Sequence, residues 1–256
     1  RNSSGRSNYI NTGFNELNFN GEGIAVAIGE SGALVDELDV KGRITELTSG
    51  YSSHKIDVMK SCAGAGNEDP ANRNNAWGAN VVSEVSYPDY VSIYNDNDVR
   101  YTNHSYGIGT TPSGDYDAIA RAHDIRISSY PNHLVIYSSG NSGAQTGYAP
   151  YAFPTWATIT GAMKMNKNML SVGALLPTDE LASFSSTGPM YDGRIIPQVV
   201  IEGNEGTSLA APKTTGIFAM LNHVYQSKNS GNEPASSLLR AIVMNTADDI
   251  GNPGPD

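Results

Sequence analysis

The segment Gly206-Thr207-Ser208-Leu209-Ala210-Ala211-Pro212 places a serine between a glycine turn and the beginning of a helix. Apolar residues recur after it at helical spacing as far as Val224, which predicts a buried helix from Ser208 to Tyr225. The first N–H groups of a helix have no partner within the helix, and the helix dipole favours negative charge on a nearby oxygen. Ser208 is therefore either an ordinary N-cap residue or an exposed nucleophile.

A serine hydroxyl becomes a strong nucleophile only when a base accepts its proton. Of the five histidines in the chain, His54 has the most suitable position, because it begins a predicted helix that continues to Ala65 and projects from the end of that helix. His123 and His223 fall within predicted helices, and His133 leads a predicted strand, so we interpret these three as structural or surface residues. His54 is the candidate general base.

An orienting carboxylate and an oxyanion donor follow two predicted strands. The apolar run Ile24 to Ile28 is followed by Glu30, and open parallel α/β sheets place their chemistry at the carboxyl ends of strands. The run Leu134 to Ser138 leads into Ser138-Ser139-Gly140-Asn141. The amide N–H of Asn141 can stabilise a developing oxyanion.

Six apolar runs alternate along the chain with four helix-like segments. This alternation predicts a doubly wound, mostly parallel central sheet with helices on both faces, a three-layer α/β/α architecture. A chain of 256 residues can bury one large core, so we expect a single domain over residues 1–256. The predicted strands are Ile24 to Ile28, Asn80 to Val85, Val99 to His104, Leu134 to Ser138, Met169 to Leu175 and Gln198 to Ile201, and the predicted helices are His54 to Ala65, Tyr116 to His123, Ser208 to Tyr225 and Pro234 to Asn245.

Four features follow one another along the chain: an acid after a strand, a histidine at a helix start, an asparagine after a strand, and Gly-Thr-Ser at a helix start. This order resembles that of the subtilisin-like serine proteases, or subtilases. The resemblance runs through nearly the whole chain and is closest to secreted bacterial subtilases. Four further segments carry it: Asn103-His104-Ser105-Tyr106-Gly107, Met169 to Ala174, Leu181 to Pro189, and Asn245 to Asp249.

The resemblance implies a catalytic site in which Ser208 is the nucleophile, His54 the general base, Glu30 the acid and Asn141 the oxyanion donor. It also implies that an extended polypeptide substrate adds a strand to Ser105-Tyr106-Gly107. The first specificity pocket would lie between this segment and Ser138-Ser139-Gly140.

The resemblance further implies that no cofactor is required. Structural calcium is the one metal it allows, through the Asn/Asp-rich segments Asn67 to Asn75 and Tyr87 to Asp98, although no spacing here defines a calcium loop. A propeptide would be a second partner, and a signal peptide and a closing C-terminal segment would lie outside the 256 residues.

The chain departs from the family pattern at Glu30 and around His54. Glu30 stands where subtilases carry aspartate, and His54-Lys55-Ile56-Asp57-Val58-Met59-Lys60 stands for His-Gly-Thr-His-Val-Ala-Gly. Lys55 is expected to disfavour the imidazolium form of His54 unless Asp57 or Glu30 offsets its charge. Asp57 is a substitute orienting group, a partner for Lys60 or Lys55, or a solvated helix charge. Two functions therefore remain open: a serine endopeptidase, and a catalytically impaired pseudoprotease that acts as a peptide-binding or structural module.

The composition limits the classes of binding partner that this protein is expected to have. A net charge of −10 and a pI near 4.9 argue against nucleic acid, and no apolar segment is long enough to span a membrane. We therefore expect a secreted, periplasmic or cell-surface protein. The single cysteine, Cys62, is predicted to be a small buried core residue and not a nucleophile.

Overall fold

One parallel sheet forms the centre of the protein. The computed structural model describes residues 19–32, 37–84, 90–107, 116–159 and 161–250. Within them, seven strands lie in the order β2-β3-β1-β4-β5-β6-β7, and every neighbouring pair is parallel. The strands are β1 (Ala25–Gly29), β2 (Ile44–Glu46), β3 (Asn80–Glu84), β4 (Val99–His104), β5 (Leu134–Ser138), β6 (Leu170–Leu175) and β7 (Val199–Glu202).

Helices cover both faces of this sheet. Successive side chains of a strand point to opposite faces, and Val26 and Ile28 pack in a core with Phe218, whereas Ala27 packs in a second core with Ile93. The predicted three-layer α/β/α fold is therefore confirmed. The described helices are α1 (Ser53–Ala63), α2 (Tyr90–Asn97), α3 (Ala118–Ser128), α4 (Thr207–Lys228) and α5 (Ser236–Thr246).

Several predicted boundaries were wrong. Strand β2 was missed because it has three residues, none of them fully buried. Helix α3 begins at Ala118 because the side chain of Asp117 caps it by accepting from the N–H of Ala120. Helix α5 begins at Ser236, so Pro234 precedes it and does not lie in its first turn.

The Asn/Asp-rich segment Tyr87 to Asp98 contains a helix. Its described part forms helix α2, which is anchored by the fully buried Ile93. The predicted strand end at Val85, the start of this segment at Tyr87 and both chain termini lie outside the described residues. Within the described ranges, no helix has the length and hydrophobicity needed to cross a bilayer.

Candidate active site

The parallel sheet brings the candidate residues to one edge. Strands β1, β4 and β5 are neighbours, and the carboxyl ends of parallel strands meet at the same edge. Glu30 directly follows β1, Ser105 directly follows β4, and Asn141 lies three residues beyond β5. The sheet register alone therefore gathers residues that are separated by more than a hundred positions in the chain.

Helix α4 presents Ser208 at its N-terminus. Gly206 caps the helix with a φ of 147°, a backbone conformation that side chains rarely adopt. A Cβ at this position would also lie 3.3 Å from Nδ2 of Asn141. The glycine thus lets Ser208 and Asn141 approach each other closely.

Ser208 and Ser105 are joined by two hydrogen bonds. The Ser208 hydroxyl donates to the carbonyl of Ser105 at 2.9 Å, and the Ser105 hydroxyl donates to the carbonyl of Ser208 at 2.8 Å. The Ser208 carbonyl is free to accept because Pro212, four residues later, has no N–H. This pair ties the segment after β4 to the start of α4.

The amide of Asn141 is held in one orientation. Its Oδ1 accepts from the backbone N–H of Thr207 at 3.0 Å and from the Thr207 hydroxyl at 2.9 Å. The same hydroxyl accepts from the N–H of Gly140 at 3.2 Å. Because two donors face Oδ1, the side-chain NH₂ of Asn141 points away from them, and it can donate to a substrate oxygen. Thr207 was not singled out in the sequence, although it stands beside Ser208.

His54 and Glu30 form the second half of the site. Ser52 caps helix α1 by accepting from the N–H of Lys55, and His54 lies in the first turn with 48% of its side chain exposed. Its Nδ1 lies 3.6 Å from Oε1 of Glu30, which is almost fully buried. This contact is the largest cause of a raised pKa of His54, against the opposing effect of burial, whereas Asp57 contributes least. The carboxylate that pairs with His54 is therefore Glu30, and the exposed Asp57 is a solvated charge.

The ammonium of Lys55 is buried and binds oxygens of the surrounding chain. Its side chain is fully buried, and Nζ donates to the carbonyls of Glu30 and Glu84, both at 3.0 Å, and of Gly32 at 2.6 Å, with the hydroxyl of Thr48 at 3.2 Å. Burial lowers its pKa to about 8, opposed by nearby carboxylates. The pKa of His54 is raised, with the contact to Glu30 as the largest cause, which is the case in which Glu30 offsets the charge of Lys55.

The two halves are not joined by a hydrogen bond. Among the described residues, no hydrogen bond links Ser208 to His54, and the Ser208 hydroxyl donates instead to the Ser105 carbonyl. In unliganded proteins, catalytic hydrogen bonds are often long or absent until substrate binds.

The predicted substrate-binding segments lie side by side. Strands β4 and β5 pair with His104 opposite Tyr137, so Ser105-Tyr106-Gly107 and Ser138-Ser139-Gly140 leave the same edge of the sheet. Ser138 and Ser139 are buried, and the N–H of Ser139 donates to a β6 carbonyl. These two serines therefore belong to the interior of the protein, whereas Tyr106 is half-buried and Gly107 is exposed.

Among the described residues, one group of carboxylates is close enough together to bind a metal ion. It consists of Glu37, Asp39 and Glu68. Lys60 already lies among them, with Nζ at 3.2 Å from Glu37 and 2.6 Å from Glu68. The predicted segment Asn67 to Asn75 contributes only Glu68 to this group. The ammonium of Lys60 therefore offsets part of the negative charge of this group.

Cys62 is a core residue, as predicted. It is fully buried in helix α1, and burial raises the pKa of its thiol to about 12. A thiol with such a pKa holds its proton and is not a nucleophile.

Comparison with known proteins identifies the family. The sequence model described as "Subtilase family" matches residues 68–256, which is more than half of the chain. The chain belongs to the subtilase family. The matched residues include Ser105, Asn141 and Ser208 of this subtilase. Glu30 and His54 precede the matched range. A thermophilic serine proteinase of Bacillus sp. (strain AK1) is 30% identical over 130 residues, which are 47% of this chain and 27% of that proteinase.

Solved structures share the fold of this subtilase. The CspB protease of Clostridium perfringens superposes with a TM-score of 0.70 at 13% identity, covering 98% of this chain and 94% of that one. A serine-to-alanine mutant of the PatA protease domain superposes with a TM-score of 0.68 at 19% identity, with 90% of each chain covered. A lanthipeptide protease superposes with a TM-score of 0.64 at 17% identity, covering 91% of this chain and 82% of that one. At these identities, the likeness shows the fold alone.

Proposed function

We propose that the protein is a serine endopeptidase that cleaves peptide bonds with Ser208, His54 and Glu30. The observation that supports it most is the pairing of the His54 imidazole with a buried carboxylate, at the sheet edge that also presents Ser208 and the fixed amide of Asn141. The proposal includes an extended polypeptide substrate along Ser105-Tyr106-Gly107.

In the proposed mechanism, Ser208 turns from the Ser105 carbonyl to His54. His54 accepts the hydroxyl proton as Oγ attacks the substrate carbonyl, and it later gives this proton to the leaving amine. The side-chain NH₂ of Asn141 and the backbone N–H of Ser208, in the first turn of α4, bind the oxyanion. Water then hydrolyses the acyl-enzyme. Glu30 orients the imidazole and stabilises its protonated form.

The proposal includes a secreted, periplasmic or cell-surface location and a propeptide as a further partner. No step of the mechanism needs a cofactor or a metal.

The function is tested by hydrolysis of an unfolded protein, reduced and alkylated casein, with peptide products detected by mass spectrometry. We expect new peptides from the unmodified protein and none from Ser208→Ala, which keeps the fold because Ser208 is only half-buried. The competing function is a peptide-binding pseudoprotease, which the bond from Ser208 to the Ser105 carbonyl favours. Binding of casein without any cleavage by the unmodified protein would support that module and contradict the enzyme.

A pH profile tests the role of Glu30. Only neutral His54 can accept a proton, so kcat/KM should rise with pH through the pKa of His54, which lies above its usual value near 6.5. In Glu30→Gln the largest cause of this raised pKa is lost, so the rise should move to lower pH, and kcat should fall. Asp57→Asn is the matched control and should move the rise least. An unchanged profile in Glu30→Gln would show that Glu30 is not the orienting acid.

A further inference from the structure

A groove beside the candidate active site is not used by the proposed mechanism. It has a volume of about 680 Å³, which falls within the range of roughly 300–1,000 Å³ for ligand pockets. Three segments line it: residues 143–144, residues 155–156, and part of the segment 181–196. Among the described residues, no charged side chain lines this groove, so it suits an uncharged ligand group.

The groove begins at the loop that carries Asn141. Gly143 lines it and lies two residues beyond Asn141, and two residues of chain span at most about 7 Å. The N–H of Gly143 donates to the carbonyl of Phe184 at 2.8 Å, and the N–H of Ser142 donates to the hydroxyl of Ser186 at 3.0 Å. These bonds tie the loop of the candidate oxyanion donor to the segment 181–196.

The order of the strands indicates which part of a substrate the groove faces. Ser105-Tyr106-Gly107 follows β4, the loop of Asn141 follows β5, and Ala182 is bonded to the end of β6 through the carbonyl of Ala174. Strand β5 lies between β4 and β6. In the proposed mechanism the substrate residues before the cleaved bond lie on the β4 side of Asn141. The residues after the cleaved bond therefore continue on the β6 side, where the groove lies.

Trp156 is held at the groove by an unusual backbone. Its neighbours Thr155 and Ala157 have φ values of 66° and 51°, and such a value is a genuine outlier for a β-branched residue. The N–H of Thr155 donates to the carbonyl of Gln145 at 2.9 Å, and the N–H of Ala157 donates to the carbonyl of Gly188 at 2.8 Å. Strained backbone held in this way is typical of ligand-binding sites. Its consequence here is that Trp156 is 56% exposed.

Two aliphatic side chains extend the apolar surface around Trp156. Leu181 and Ile195 are both exposed, and both line the same groove. Single exposed apolar residues are common on protein surfaces, whereas a group of them along one groove indicates a binding site. An apolar side chain that enters the groove would remove all three residues from water, which stabilises the complex in proportion to the area buried.

We propose that this groove is a subsite for a large apolar side chain of the polypeptide substrate, at the second residue after the cleaved bond, and that Trp156 determines this specificity. The proposal rests on the proposed endopeptidase function. The second residue is assigned because two residues of extended chain cover the distance from Asn141 to Gly143. A polar or charged side chain at this position would lose its hydration without gaining a charged partner.

The test uses two fluorogenic peptides that differ only by leucine or asparagine at the second residue after the cleaved bond. We expect the unmodified protein to cleave the leucine peptide about tenfold faster in kcat/KM, the scale for burying most of one leucine side chain. Trp156→Ala should remove most of this preference by lowering kcat/KM for the leucine peptide alone, and Trp156→Phe should keep most of it. Equal cleavage of both peptides by the unmodified protein would overturn the subsite and leave the endopeptidase intact.

Tyr191→Ala is the matched control. Tyr191 is an aromatic residue with nearly the same exposure, 53% against 56% for Trp156, but it does not line the groove. Its removal should leave the preference for leucine unchanged. An equal loss of the preference in Tyr191→Ala and Trp156→Ala would overturn the specific role of Trp156.

A binding measurement separates the two proposals. The chain has two tryptophans, so the double variant Ser208→Ala, Trp77→Phe keeps Trp156 as its single tryptophan and lacks the proposed nucleophile. Binding of the leucine peptide should shift the Trp156 emission to shorter wavelength, because the ring leaves water, and the asparagine peptide should shift it less. This result supports the subsite even if the unmodified protein cleaves nothing, in which case the endopeptidase proposal fails alone.

Two results of the same measurement would overturn the subsite. One is an emission that the leucine peptide leaves unchanged. The other is an emission that shifts with protein concentration in the absence of peptide, which would assign the groove to contact with a second copy of the chain.

Discussion

His54→Ala is expected to lower kcat for peptide hydrolysis by roughly 10⁶-fold, the scale for loss of the catalytic histidine in subtilisin. The base is lost while the oxyanion donors remain, so only substrate binding and Asn141 still promote the reaction. Because the His54 side chain is half-exposed at the first turn of α1, the fold should not change, and KM should stay within a few-fold. Steady-state kinetics with a fluorogenic peptide measures both constants.

Asp57→Ala is the matched control for this measurement. Asp57 lies one turn further along α1, is exposed, and contributes least to the raised pKa of His54. We expect its removal to change kcat by no more than a few-fold. A larger loss in Asp57→Ala than in Glu30→Gln would reverse our assignment of the orienting carboxylate. Retention of most activity in His54→Ala would exclude His54 as the base.

Lys55→Met is expected to lower the free energy of unfolding by about 3 kcal/mol, because it leaves several buried acceptors without their donor. The carbonyls of Glu30, Gly32 and Glu84 would lose the ammonium that now binds them. A buried acceptor without a donor costs about 1–3 kcal/mol. Urea denaturation measures the change.

The same substitution should also reduce activity. Lys55 holds the carbonyl of Glu30, the residue whose side chain faces His54, so its loss loosens the acid as well as the fold. We expect a lower kcat with little change in KM, and partial rescue by Lys55→Arg. Lys60→Met is the control, because Lys60 makes ion pairs near the surface, which contribute up to about 1 kcal/mol. Equal stability of Lys55→Met and the unmodified protein would contradict this role.

The parts of the site that sequence reasoning could predict depend on local signals. The glycine before Ser208 marks a turn, the apolar run after it marks a helix, and Glu30 follows an apolar strand directly. Each of these patterns involves residues within a few positions of one another. The same holds for the alternation of strands and helices that predicts the three-layer fold.

The parts that could not be predicted depend on distant residues that meet only after folding. Lys55 appeared to be a charge beside His54, but its ammonium binds carbonyls at the ends of β1 and β3. Thr207 holds Asn141 across 66 positions.

The central claim is that Ser208 is an activated nucleophile despite its bond to the Ser105 carbonyl and the glutamate in place of aspartate. The most direct measurement is intact-mass detection of covalent labelling by a fluorophosphonate probe, for the unmodified protein, Ser208→Ala and His54→Ala. We expect one adduct per chain in the unmodified protein and none in either variant. An unmodified protein that is folded, by circular dichroism, and takes up no label would contradict the claim and leave a peptide-binding module.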